Sequence, residues 1–241
     1  IVIGIIGYKL LFTNTYILPK GETTTGIINI SGTSGTGING NDGISLFGAN
    51  LFSEDGRIRL DGTSQGTGVQ SSGITAFLST IETRGRGNIG LIGQGGTGGR
   101  ENIGVQLRTR TEINSRNGTI NIRGTGGSGD RISNYGVFVY SGIRISSVDG
   151  TINIRGTGGN ALQNNRGVSI GGEDGAGALA GSIVETTGAG DIFIEGIAGP
   201  DTNGGNPGAV ISTASQVRTT EGNIEIVGKG RSGAGISLLA G

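Results

Sequence analysis

Apolar residues in this chain recur in short alternating runs that each end on glycine. The string apolar–x–apolar–x–Gly appears as Ile3/Ile5/Gly7, Ile28/Ile30/Gly32, Ile58/Leu60/Gly62 and Ile89/Leu91/Gly93. It continues as Ile120/Ile122/Gly124, Ile152/Ile154/Gly156, Ile192/Ile194/Gly196 and Ile224/Ile226/Gly228. Successive first positions are 25, 30, 31, 31, 32, 40 and 32 residues apart. Alternation with period two predicts strands that bury one face. A second signature follows each of the later runs: Gly then apolar, beginning at Gly43, Gly73, Gly104, Gly136, Gly167, Gly208 and Gly235. A third places Leu51, Ile81, Ile113, Ile145, Val184 and Val217 two residues ahead of Ser53, Thr83, Ser115, Ser147, Thr186 and Thr219.

Each unit of about 31 residues therefore carries three short strands separated by Gly-rich corners. One such unit cannot bury its apolar face, but stacked units can. The pattern predicts an all-β, right-handed parallel β-helix with three strands per coil and roughly seven to eight coils. Eight coils at the spacing of paired strands give a rod of roughly 35–40 Å. The decamer GTINIRGTGG, which occurs at 118–127 and again at 150–159, fits this picture. Residues at one place in adjacent coils meet identical surroundings, so exact repetition is tolerated. No sustained i, i+3, i+4 apolar pattern supports helices between the strands, and glycine costs a helix about 1 kcal/mol relative to alanine. The expectation is a single solenoid domain over 1–241, with an irregular first coil at 1–25 and an inserted loop at 171–181.

Between strands one and two, loops such as Gly93–Gly104 and Gly124–Gly136 have nearly constant length and are expected to leave one edge of the rod. Asn41, Asn102, Asn134, Asn165 and Asn206 each stand two residues before the closing glycine. They are read as a stacked structural ladder, aided by the tolerance of Asn for left-handed φ; the alternative is a row of ligand-binding amides. The Ser/Thr row after strand three is read as buried hydroxyls bonding along the stack.

Composition narrows the function classes. Glycine contributes 54 residues and proline only 3, without the triplet period of collagen. Formal net charge is zero, which removes the field expected of a nucleic-acid binder, and aromatics at 4% are too few for base-stacking platforms. Cys, His, Met and Trp are absent, so the commonest metal ligands and the commonest general base are missing. The apolar opening IVIGIIGYKLLFTNTYIL is broken by Lys9, Thr13, Asn14 and Thr15, so no membrane span is expected.

No catalytic, cofactor or metal site is assigned. Glu173 and Asp174 in the insertion are too few oxygens for calcium. The outward positions of strand one read Arg57/Arg59/Asp61, Asn88/Gly90/Ile92, Thr119/Asn121/Arg123, Thr151/Asn153/Arg155, Asp191/Phe193/Glu195 and Asn223/Glu225/Val227. Asp191 and Glu195 beside Arg155 are the nearest approach to a glycosidase-like pair, and a surface ion pair is the ordinary reading. The run RTRTE at 108–112 suggests an ice-binding Thr array, but its counterparts VYSGI and ISTAS break it.

The segment from GTINIRGTGG through NYGVFVYSGIRISSVDG to the second GTINIRGTGG resembles the repeat region of filamentous-haemagglutinin-like secreted proteins, especially the large repeat exoproteins of cyanobacteria. The likeness covers about residues 26–241. It implies secretion across an outer membrane, an extracellular or cell-surface location, and an adhesive or structural stalk without catalysis or cofactor. Strand one begins at the first residues and the last strand breaks off within a coil, which predicts a longer object, either one polypeptide or subunits associating end to end. Surface glycans are the other expected partner. The alternatives are a carbohydrate-active β-helix enzyme and a glycan-binding module using the Asn/Gly-rich loop edge.

Overall fold

The computed structural model describes residues 2–6, 10–13, 16–17, 26–130, 132–140, 142–171, 180–200, 205–212 and 214–239. These residues form strands, turns and no helix. Strands are numbered in chain order. Sheet one stacks β1 (Val2–Ile6), β4 (Ile28–Thr33), β7 (Ile58–Thr63), β10 (Ile89–Gln94), β13 (Ile120–Thr125), β16 (Ile152–Thr157), β19 (Ile192–Ile197) and β22 (Ile224–Lys229). Sheet two stacks β2 (Leu10–Thr13), β5 (Ile44–Phe47), β8 (Ile74–Phe77), β11 (Val105–Arg108), β14 (Val137–Val139), β17 (Val168–Ile170), β20 (Ala209–Ile211) and β23 (Ile236–Leu238). Sheet three stacks β3 (Tyr16–Ile17), β6 (Asn50–Ser53), β9 (Thr80–Thr83), β12 (Glu112–Ser115), β15 (Arg144–Ser147), β18 (Ile183–Thr186) and β21 (Gln216–Thr219). Each strand pairs in parallel with its copies in the neighbouring coils, which is the β-solenoid that the pattern predicts.

The register follows the apolar ladder. Ile58, Ile89, Ile120 and Ile152 lie opposite one another along sheet one. Ile74, Val105, Val137 and Val168 do so along sheet two, and Leu51, Ile81, Ile113 and Ile145 along sheet three. All of these side chains belong to one continuous buried cluster, each at most 1% exposed. Complete burial of such a side chain stabilises by about 1.5–3 kcal/mol, and the ladder repeats that gain in every coil.

The first coil departs from the expected spacing. Ile3 was expected to stand over Ile28; it pairs with Ile30, and Ile5 pairs with Gly32. A two-residue slide preserves the alternating pattern, so alternation alone cannot discriminate the two registers. The first-coil strands β2 and β3 also escape the sequence signatures, because no Gly–apolar pair opens β2 and Pro19, not Ser or Thr, stands two residues after Ile17 of β3. The core of the 171–181 insertion, with Glu173 and Asp174, lies outside the described residues.

Loops between sheets one and two stack rather than splay. Isolated parallel bridges join Asn39 to Val69, Thr97 to Ser128 and Ser128 to Asn160. Backbone N–H groups of Thr97 and Ser128 donate to the Gly66 and Gly96 carbonyls of the preceding coil. The loop edge is thus largely paired with itself.

Candidate functional site

The backbone of the loop edge explains the asparagine row. Gly40, Gln70, Glu101, Ser133, Asn164 and Gly205 all have positive φ, between 57° and 87°. Each stands one residue before Asn41, Ser71, Asn102, Asn134, Asn165 and Asn206. The left-handed residue is therefore the neighbour of the asparagine, not the asparagine itself as the sequence suggested. The turn aims the following side chain into the stack. Asn102, Asn134, Asn165 and Asn206 are all buried, whereas Asn41 is only partly covered. The Asn102 Oδ1 accepts the Ser71 N–H at 3.1 Å, and the Asn134 Oδ1 accepts the Asn102 N–H at 2.9 Å. Asn165 Nδ2 donates to the Ala161 and Pro200 carbonyls at 2.8 and 2.9 Å. Asn41 Nδ2 donates locally to the Asn39 carbonyl at 3.0 Å. These amides link one coil's side chains to backbone, and their burial leaves no amide face to solvent at the four inner positions.

The Ser/Thr row lies at the corner between sheets three and one. Thr83 Oγ1 donates to the Gly87 carbonyl at 2.8 Å and lies 3.1 Å from Ser115 Oγ. Ser115 Oγ donates to the Gly118 carbonyl at 2.8 Å, and Thr186 Oγ1 reaches the Gly190 carbonyl at 2.6 Å. Buried carbonyls at this turn find no ladder partner of their own, and the hydroxyls satisfy them.

On the outer face of sheet three, Glu185 is only 3% exposed, although it sits on a solvent-facing position. Arg144 of the preceding coil and Arg218 of the next cover it. Arg218 donates Nη2 and Nε to Oε2 at 2.7 and 2.8 Å, and Arg144 Nη2 meets Oε1. The sequence signatures concerned inward residues of this strand, so this triad went unread.

Sheet one carries a depression of about 340 Å³ spanning β7, β10, β13 and β16. Its origin is a missing side chain. Gly90 points outward between Arg59 and Asn121 in the strand register, and Asn153 continues that row. The adjacent row reads Asp61, Ile92, Arg123, Arg155. Four guanidinium groups (Arg57, Arg59, Arg123 and Arg155) and three amides (Asn88, Asn121 and Asn153) therefore surround the depression. Asp61 pairs with Arg59 at 2.7 Å, raising the Arg59 pKa further above its ordinary value by hydrogen bonding and charge, so this group stays cationic. Arg155 lies 3.6 Å from Glu195 and 5.0 Å from the Phe193 ring centroid. Arg57 and Arg123 take no ion pair among the described residues.

Asp191 and Glu195 stand four residues apart along one extended strand, their backbones separated by roughly 13 Å, and each carboxylate is engaged with a different partner. Asp191 Oδ1 accepts the Asn223 N–H at 2.7 Å, and Glu195 sits between Arg155 and Lys229, the latter at 3.7 Å. Among the described residues no group of three or more Asp or Glu could hold a metal ion. RTRTE spans the corner after β11, where Thr111 is buried and donates to the Arg108 carbonyl. Tyr135, Phe138 and Tyr140 form a small cluster flanked by Arg166 and Arg108, with Tyr135 and Phe138 buried. No described helix is long and apolar enough to cross a membrane.

No protein-family model, curated protein or solved structure matches the chain.

Proposed function

We propose that this chain is a structural and adhesive module of an extracellular stalk or fibre, continued end-on by further coils. One observation carries the reading: all coils stack through the same three parallel sheets, and among the described residues the coil at 224–239 still offers that stacking face. Ile224 is 41% exposed and Leu238 70%, while Ile192, which Ile224 overlies, is 1% exposed. Ile226 and Val217 pack on the core from one side only. Beside them run the unpaired edges of β21, β22 and β23, a template for another strand in each sheet. The surface that complements this face is another coil of the same repeat, in the same polypeptide or in a second copy of the chain. The likeness to filamentous-haemagglutinin-like repeat regions supports the extracellular and adhesive part of the reading.

Negative-stain electron microscopy and sedimentation test it. The expected result is thin fibres with a subunit repeat of roughly 35–40 Å, shortened to single rods by Leu238→Lys. Monomers at every concentration would remove end-to-end assembly from the proposal.

A further inference from the structure

We propose that the arginine-lined depression on sheet one binds an acidic polysaccharide, a linear sugar chain bearing carboxylate or sulfate groups. The proposal goes beyond end-on assembly, since the site lies on the side of the rod.

The first argument is charge. The chain as a whole is neutral, with 18 basic and 18 acidic residues, yet four guanidinium groups line this one depression and no carboxylate does. Arg123 and Arg155 are direct register partners in β13 and β16, about one strand spacing (~4.8 Å) apart. Like charges directly opposite across a sheet are destabilising. Glu195 relieves Arg155 alone. An anion seated between the two relieves both, and guanidinium forks bind planar oxyanions through paired hydrogen bonds.

The second argument is shape. The depression runs along the rod axis over four coils, roughly 14 Å, and is open at the surface. Gly90 forms its floor, and a β-carbon there would find only Arg59 Cγ, at 4.0 Å. The fold does not require glycine at this position; the depression does. Ile92, 38% exposed, offers an apolar patch for a sugar ring, and the Asn88, Asn121 and Asn153 amides offer both donors and acceptors for hydroxyls. Nucleic acid is less well matched, because the lining holds no aromatic ring for a base to stack on.

The test is direct binding of the intact chain to polygalacturonate, to dextran sulfate and to neutral dextran, by titration calorimetry at low and moderate salt. Binding of either acidic polymer with no binding of dextran is the expected result, and the tighter of the two identifies the anionic group. Gly90→Leu fills the floor while keeping every arginine; affinity should fall about tenfold or more, with the melting midpoint unchanged or raised. Arg123→Gln should weaken binding about tenfold, the scale of one charge-assisted hydrogen bond. Arg84→Gln, with the same charge change on sheet three, should leave affinity as it was. Leu238→Lys rods should bind as fibres do, which separates this site from end-on assembly. No affinity for either acidic polymer, unchanged binding by Gly90→Leu, or equal losses in Arg84→Gln and Arg123→Gln would overturn the proposal.

Discussion

A β-carbon on Gly124 would stand 2.0 Å from the carbonyl oxygen of Gly136. The same contact recurs at every inner corner between sheets one and two, with Gly62 on Gly73 at 2.2 Å and Gly156 on Gly167 at 1.9 Å. From Gly32 onward, the glycines that close the apolar runs are therefore there to let two backbones touch. Gly124→Ala is expected to destabilise by about 2–3 kcal/mol, since neither backbone can retreat without breaking its ladder. Gly90→Ala, in open space on the same sheet, should be neutral or stabilising by up to about 1 kcal/mol. Thermal and denaturant unfolding of the two variants side by side measures the contrast.

Leu78 occupies the corner between sheets two and three with φ 50°, where the equivalent residue of the preceding coil is Gly48 with φ 61°. A left-handed conformation costs a branched side chain about 1–2 kcal/mol, and Leu78 is 43% exposed, so little burial offsets it. After subtracting the extra unfolded-state freedom of glycine, Leu78→Gly should stabilise by about 0.5–1 kcal/mol. A lowered denaturation midpoint would contradict this.

Glu185 holds Arg144 and Arg218 together across three coils. With Glu185→Gln the two guanidinium groups lose their shared counter-charge. Both arginines are about half exposed, so solvent screens part of the loss, and the cost should be about 1–2 kcal/mol. Raising salt should narrow the gap between variant and parent. Amide hydrogen exchange over β15, β18 and β21 reads the effect where it arises.

Thr83→Val removes one hydroxyl while preserving shape and strand propensity. The Gly87 carbonyl loses its 2.8 Å donor inside the stack, and a buried acceptor without a partner costs about 1–3 kcal/mol. The loss should exceed that of a Thr→Val change at the half-exposed Thr80 in the same strand.

Three sheets and their register were legible from Gly43 onward, because stacked coils place identical roles at one spacing and glycine marks each corner. The first coil was not, since Ile3 over Ile28 and Ile3 over Ile30 satisfy the same alternation. The left-handed turn falls one residue ahead of the asparagines that signal it. Glu101 and Ser133 carry no chemical sign of positive φ, whereas the neighbouring asparagines do. The sheet-one depression was present in the outward rows as Asn88/Gly90/Ile92 between arginine-bearing strands, yet a glycine there reads as a weak strand residue until its neighbours are placed. Glu185 escaped for a related reason. Its partners are 41 and 33 residues away, and only the stack brings them beside it.

The decamer copies at 118–127 and 150–159 have a consequence for how this rod varies in length. Because Ile89 faces Ile120 and Ile120 faces Ile152, excising one coil would set Ile89 on Ile152 with the same partner chemistry at every rung of sheet one. Duplicating one would preserve the sheet-one ladder equally. Length is thus adjustable in whole coils of about 4.8 Å, and near-identical neighbouring stretches are where recombination between misaligned copies would add or delete them. Such a gene can lengthen or shorten its product without designing a new interface.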